Sequence, residues 1–144
     1  MASTCPHCGA RVDGEECRDR FDRCLAKEFE NPDTYGAVHH LTVISYMLQH
    51  NEYSRPAWLE AREMLSQFVN HGLTPAEARR KHSQTLDRAQ RPWRVTEGEK
   101  ITEVADIRWQ RTIADVRLDN ADLYRADVRR WAASVVADTE QLAR

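Results

Sequence analysis

The chain has 144 residues, with 21 Lys and Arg against 23 Asp and Glu, a formal net charge of −2 and a pI near 6.3. That length fits one domain with one core and is too short for two typical domains; the near balance of charge provides no global field for holding nucleic acid or an anionic membrane. Five glycines and five prolines, set among abundant Ala, Arg, Glu, Leu and Asp, argue against a turn-rich β sandwich or barrel and for an all-α fold.

The opening "MASTCPHCGARVDGEEC" lacks the cationic, apolar, small-residue order of a signal peptide, and the longest uncharged run has polar residues throughout. A soluble cytoplasmic protein with no membrane partner is expected. Residues 1–14 read as a knuckle and 15–144 as a helical body of the same domain. In "CPHCG", Pro6 and Gly9 bend the chain around Cys5 and Cys8, and a two-residue gap lets both sulfurs face one tetrahedral ion. Free surface cysteines are the bland alternative. A thioredoxin-like redox pair would open a helix after a strand, and no strand is expected before Cys5.

Helix one is expected from Glu15 to Glu30, where Cys17, Phe21, Cys24, Leu25 and Phe29 recur at helical spacing before "ENPD" closes it. Cys17 and Cys24 cannot both join the knuckle. Seven residues of helix rise about 10.5 Å, whereas sulfurs around one zinc stand roughly 4 Å apart. Cys17 is the better third ligand, and Cys24 reads as a small buried apolar residue.

Helix two is expected over Asp33–His50, within "TYGAVHHLTVISYMLQHN", which contains no charged residue. Ala37, Leu41, Ile44 and Leu48 fall on one side, and Tyr35, His39, Thr42, Tyr46, Gln49 and His50 on the other. With both sides uncharged, this reads as a central helix covered all round. If helices one and two form an antiparallel hairpin turning near Pro32, Cys17 lies about fifteen residues before the turn and meets the level of Met47, within a turn of His50. Cys5, Cys8, Cys17 and His50 are therefore the expected zinc ligands, with His7 and Asp13 as lesser candidates. The same count sets His39 opposite Leu25, about 16 Å from His50 along the axis, so one ion cannot use both.

Helix three is expected from Pro56 to Asn70, with Trp58, Ala61, Leu65 and Phe68 inward. Thr74, Pro75 and Glu77 of "TPAE" form a capping signal for a basic helix reaching about Ala89. A looser stretch leads to a short helix from Thr102 through "EVADIRW", and a final helix starts at Asn120 with Tyr124, Val128, Trp131, Val135 and Leu142 in step.

The order of motifs resembles a bacterial family of small proteins of unknown function, which pairs "CPxCG" and a later cysteine with a helix similar to "YGAVHxLTVxxYxLQHP". The matching residues are Cys5, Cys8, Cys17 and "YGAVHHLTVISYMLQHN", together with "EVADI" and "VRRWAASV"; His40 and Asn51 depart from that pattern. The resemblance implies a helical, metal-binding protein and supplies no reaction.

Three readings of function stay open. The polar stripe of helix two either satisfies itself as a buried network or forms a small-molecule or catalytic pocket, with His39 as proton donor or acceptor and Tyr46 and Gln49 as hydrogen-bonding partners. Cys24, at the level of His39, reads as a core residue before an activated thiol. An adaptor or regulatory subunit stabilised by zinc would dock a protein partner on Tyr124, Val128, Trp131 and Val135, residues that equally suit the domain's own core. Arg79, Arg80, Lys81, His82, Arg88, Arg91 and Arg94, with Trp93, form a basic run; in an otherwise acidic chain it reads as a solvated face before a nucleic-acid surface.

Overall fold

The computed structural model describes residues 3–12, 16–86 and 95–143. The body is all-α, as composition implies. Five helices, α1 (Cys17–Glu30), α2 (His39–Gln49), α3 (Arg55–Asn70), α4 (Pro75–Leu86) and α5 (Ala121–Asp138), are joined by 3-10 turns at Tyr35–Val38, Thr102–Asp106 and Ile113–Asp115, and a last one follows at Glu140–Ala143. The knuckle differs from expectation in one respect. Ser3–Thr4 (β1) and Arg11–Val12 (β2) pair antiparallel, Ser3 with Val12 and Thr4 with Arg11, so a two-residue strand does precede Cys5. The cysteine pair nevertheless sits in the turn between strands and opens no helix, which removes the thioredoxin-like arrangement.

Helix α2 is central: it packs on α3 and on α5, and its preceding 3-10 turn lies against α1 and α5. Two indoles hang from its last turn. Trp58 Nε1 donates to the Leu48 carbonyl at 3.1 Å, and Trp131 Nε1 donates to Gln49 Oε1 at 3.0 Å; both tryptophans are completely buried. The apolar positions of α5, Tyr124, Val128, Trp131 and Val135, are likewise 0 % exposed. They serve the domain's own core and leave no outward seam.

The α1–α2 pairing has a clear register. Cys17 meets His50, Phe21 stacks on Tyr46 and Glu28 binds His39, pairs that are all centred between Asp33 and Thr34. The hairpin axis thus lies just beyond Pro32, and His39 faces Glu28 in place of Leu25. The first turn of the expected second helix is 3-10, and Gly36 explains why. A Cβ there would lie 2.9 Å from the Glu28 carbonyl oxygen, so only glycine admits this approach of the turn to α1.

Buried polar groups tie the remaining ends. Arg62 of α3 is 7 % exposed and donates from Nη2 to the Val136 carbonyl at 2.8 Å and from Nε to Thr139 Oγ1 at 3.1 Å, covering the C-terminal end of α5 where carbonyls lack helical partners. Thr74 and Glu77 form the expected capping box: the Glu77 amide donates to Thr74 Oγ1 at 3.2 Å and the Thr74 amide to Glu77 Oε1 at 3.0 Å. The helix expected through "EVADIRW" is only the 3-10 turn Thr102–Asp106, and Ile107 is already extended at φ −75°, ψ 133°. Ile101, Val104, Ile113 and Val116 are each buried singly, from two short 3-10 turns and the residues that flank them, and residues so spaced make no helical stripe. The expected start at Glu15, the end at Ala89, and the basic run from Arg88 to Arg94 with Trp93 lie outside the described residues. No helix among the described residues is long and apolar enough to cross a membrane.

Candidate metal centre

The turn between β1 and β2 brings Cys5 and Cys8 to one side. The Gly9 amide donates to the Cys5 carbonyl at 3.0 Å and the Cys5 amide to the Ala10 carbonyl at 2.9 Å; Gly9 has φ 79°, a left-handed conformation that favours glycine. Cys17 enters from the first turn of α1, which is capped by Glu16 and Asp19. His50 enters from the end of α2, where Asn51 leaves the helix at φ 52°.

The three sulfurs and one ring nitrogen converge. The four candidate ligand atoms of Cys5, Cys8, Cys17 and His50 all lie within 4.8 Å of one another. Cys8 Sγ is 3.6 Å from Cys17 Sγ, and Cys5 Sγ is 3.6 Å from His50 Nε2. Metal–sulfur bonds of about 2.3 Å and metal–nitrogen bonds of about 2.0 Å set tetrahedral edges of roughly 3.5–3.8 Å, so the observed spacing fits a four-coordinate ion. His50 Nδ1 is 2.8 Å from the Tyr46 carbonyl. Donation to that oxygen fixes the tautomer that leaves Nε2 free to ligate, an arrangement common behind metal-bound histidines.

An aromatic stack supports the imidazole. Tyr46 lies between Phe21, whose ring is 3.9 Å away at 2°, and His50, whose ring is 4.0 Å away at 21°. Cys8, Cys17 and His50 are buried, while Cys5 is half-buried. Burial pushes the Cys8 thiol up, and pushes Cys17 to about 11. Burial acts on Cys5 in the same sense, but the amides of Cys8 and His7 and the neighbouring thiols outweigh it and lower its pKa. Burial also lowers the pKa of His50, keeping the imidazole in its neutral, ligating form. His7 donates its backbone amide to Cys5 Sγ at 3.4 Å and its ring lies 5.9 Å from that of His50; it stands beside the four-residue cluster. Asp13 lies outside the described residues.

The remaining stripe residues of α2 have separate partners among the described residues. Gln49, 1 % exposed, donates from Nε2 to the Arg111 carbonyl at 2.7 Å and accepts from Trp131. Tyr46 borders a cleft with Cys5, His7 and Arg18. His39 faces Glu28 through Nδ1 at 2.7 Å. Glu28 is the polar residue that sequence reasoning misses: 2 % exposed, it accepts from Thr42 Oγ1 at 2.6 Å and from the Tyr124 hydroxyl at 2.5 Å as well. Its signal was the uncharged stripe itself, which needs an acceptor from the facing helix. Cys24 is completely buried, and desolvation raises its pKa to about 11, so it is a protonated core thiol rather than an activated one.

A helical body closed by a Cys3His knuckle with the geometry to hold a metal ion defines the class. Residues 3–140 match the family of unknown function DUF5946, and the chain belongs to that family. Neither a curated protein nor a solved structure matches it.

Proposed function

We propose that the chain is a zinc protein in which Cys5, Cys8, Cys17 and His50 hold one structural ion. The observation that carries this reading is the convergence of four donor atoms within 4.8 Å from three separate parts of the chain: the knuckle, the start of α1 and the end of α2. Three thiolates with one imidazole favour zinc over harder cations, and they complete a tetrahedral shell with no position left for substrate or water. The ion would supply stability, fastening to the central hairpin a knuckle whose strands, among the described residues, pair over two residues each. A cytoplasmic location belongs to the same reading, because thiolate ligands persist in a reducing compartment.

Metal analysis of the purified chain should give near-stoichiometric zinc, with Cys17→Ser losing it and Cys24→Ser keeping it. Cobalt substitution should give the spectrum of a sulfur-rich tetrahedral site that added metabolites do not alter. Metal-free protein of undiminished thermal stability would sink the proposal, and a spectrum that responds to an added ligand would replace the structural ion with a catalytic one.

A further inference from the structure

A groove of about 600 Å³ runs between α2, α3 and α4, remote from the knuckle in its lining. That size is ordinary for a small-molecule site, as is a mainly apolar wall with a few polar groups. Val43, Ile44, Ala61, Met64 and Phe68 supply the apolar surface, and packing against the core holds most of them in place.

The polar side chains of this groove distinguish it from an ordinary surface furrow. His40 meets Phe68 edge-on, with ring centroids 4.6 Å apart, and burial lowers its pKa to about 4, so it remains a neutral imidazole with a ring N–H to offer. Tyr53 is kept as a phenol by burial. Neither His40, Tyr53 nor Arg79 has a hydrogen-bond or ion-pair partner among the described residues, and all three line the groove. Among the described residues that line it, Glu60 is the one acidic group, and it is already engaged in an interaction of its own. The groove therefore offers donors and positive charge above an apolar floor.

We propose that this groove is a binding site for a small carboxylate with an apolar body, of the class of medium-chain fatty acids. The chain lies along Val43, Ile44 and Phe68, and the carboxylate accepts from His40, Tyr53 and Arg79. Arg79 is exposed on α4 and confers the preference for an anion; His40 and Tyr53 are half-buried and confer direction.

Calorimetric titration of the full zinc-loaded chain with octanoate, and with neutral octanamide of the same length, tests this. Octanoate should bind, octanamide at least tenfold more weakly. Arg79→Glu should weaken octanoate at least tenfold while leaving octanamide unchanged, and Ala61→Trp, which fills the groove, should abolish both. Zinc content and circular dichroism check that each variant is folded, and they keep this test separate from that of the metal. The proposal is overturned if octanoate does not bind, or binds equally to both folded variants. A dimer in light scattering that Ala61→Trp dissociates would put a second copy in the groove and equally overturn it.

Discussion

The Glu28 carboxylate gathers a threonine, a tyrosine and a histidine, and its removal falls hardest on the tyrosine, the donor that is completely buried. Glu28→Ala should destabilise the chain by about 2 kcal/mol in urea unfolding, because the buried Tyr124 hydroxyl loses its charged acceptor and Thr42 retains only the Val38 carbonyl at 3.2 Å. Tyr46→Phe should behave differently. The Tyr46 ring supports His50 by stacking, which phenylalanine can also do, so zinc content should be retained. His40 provides a pH signature. Its folded pKa of about 4 lies below the ordinary 6.5, so as pH falls the unfolded chain takes up the proton first. The stability it contributes is present above about pH 6.5 and is lost as the pH drops toward 4. His40→Gln should flatten this part of the profile, seen as a smaller fall in the urea midpoint than in the wild type.

Between elements, the close approach of the Tyr35–Val38 turn to α1 sets the level at which His39 and Thr42 reach Glu28. Gly36→Ala would set a methyl 2.9 Å from a backbone oxygen, and overpacking of this kind costs about 1–3 kcal/mol; a lowered melting temperature with zinc retained is the expected result. This junction also shows what could be read in advance. The hairpin and the level of His50 were legible because helical rise is constant, and counting outward from a turn needs little else. The 3-10 geometry was not, since it depends on how closely two backbones approach. Glu28 was illegible for a related reason. On an amphipathic helix a glutamate reads as surface, and its burial depends on Tyr124, 96 residues further along the chain. The clustering of Cys5, Cys8 and Cys17 was legible from spacing and helical rise, whereas the partner of Gln49 was not, because nothing nearby in sequence announces Trp131.

Across the whole molecule, the proposed ion joins the first strand turn to both arms of the central hairpin. Chelation should therefore lower the melting temperature and broaden the transition, with re-addition of zinc restoring both, as expected where metal binding and folding are linked. His50 follows directly after the last turn of α2, the turn from which Leu48 and Gln49 hold the indoles of Trp58 and Trp131. A disturbance at the ligand thus reaches two buried fluorophores through one or two peptide units. With the ion held as proposed, the protein would contain its own optical gauge of metal occupancy: withdrawal of zinc should shift tryptophan emission to longer wavelength as water reaches these rings, and Trp131→Phe should remove a large share of that shift without altering zinc content.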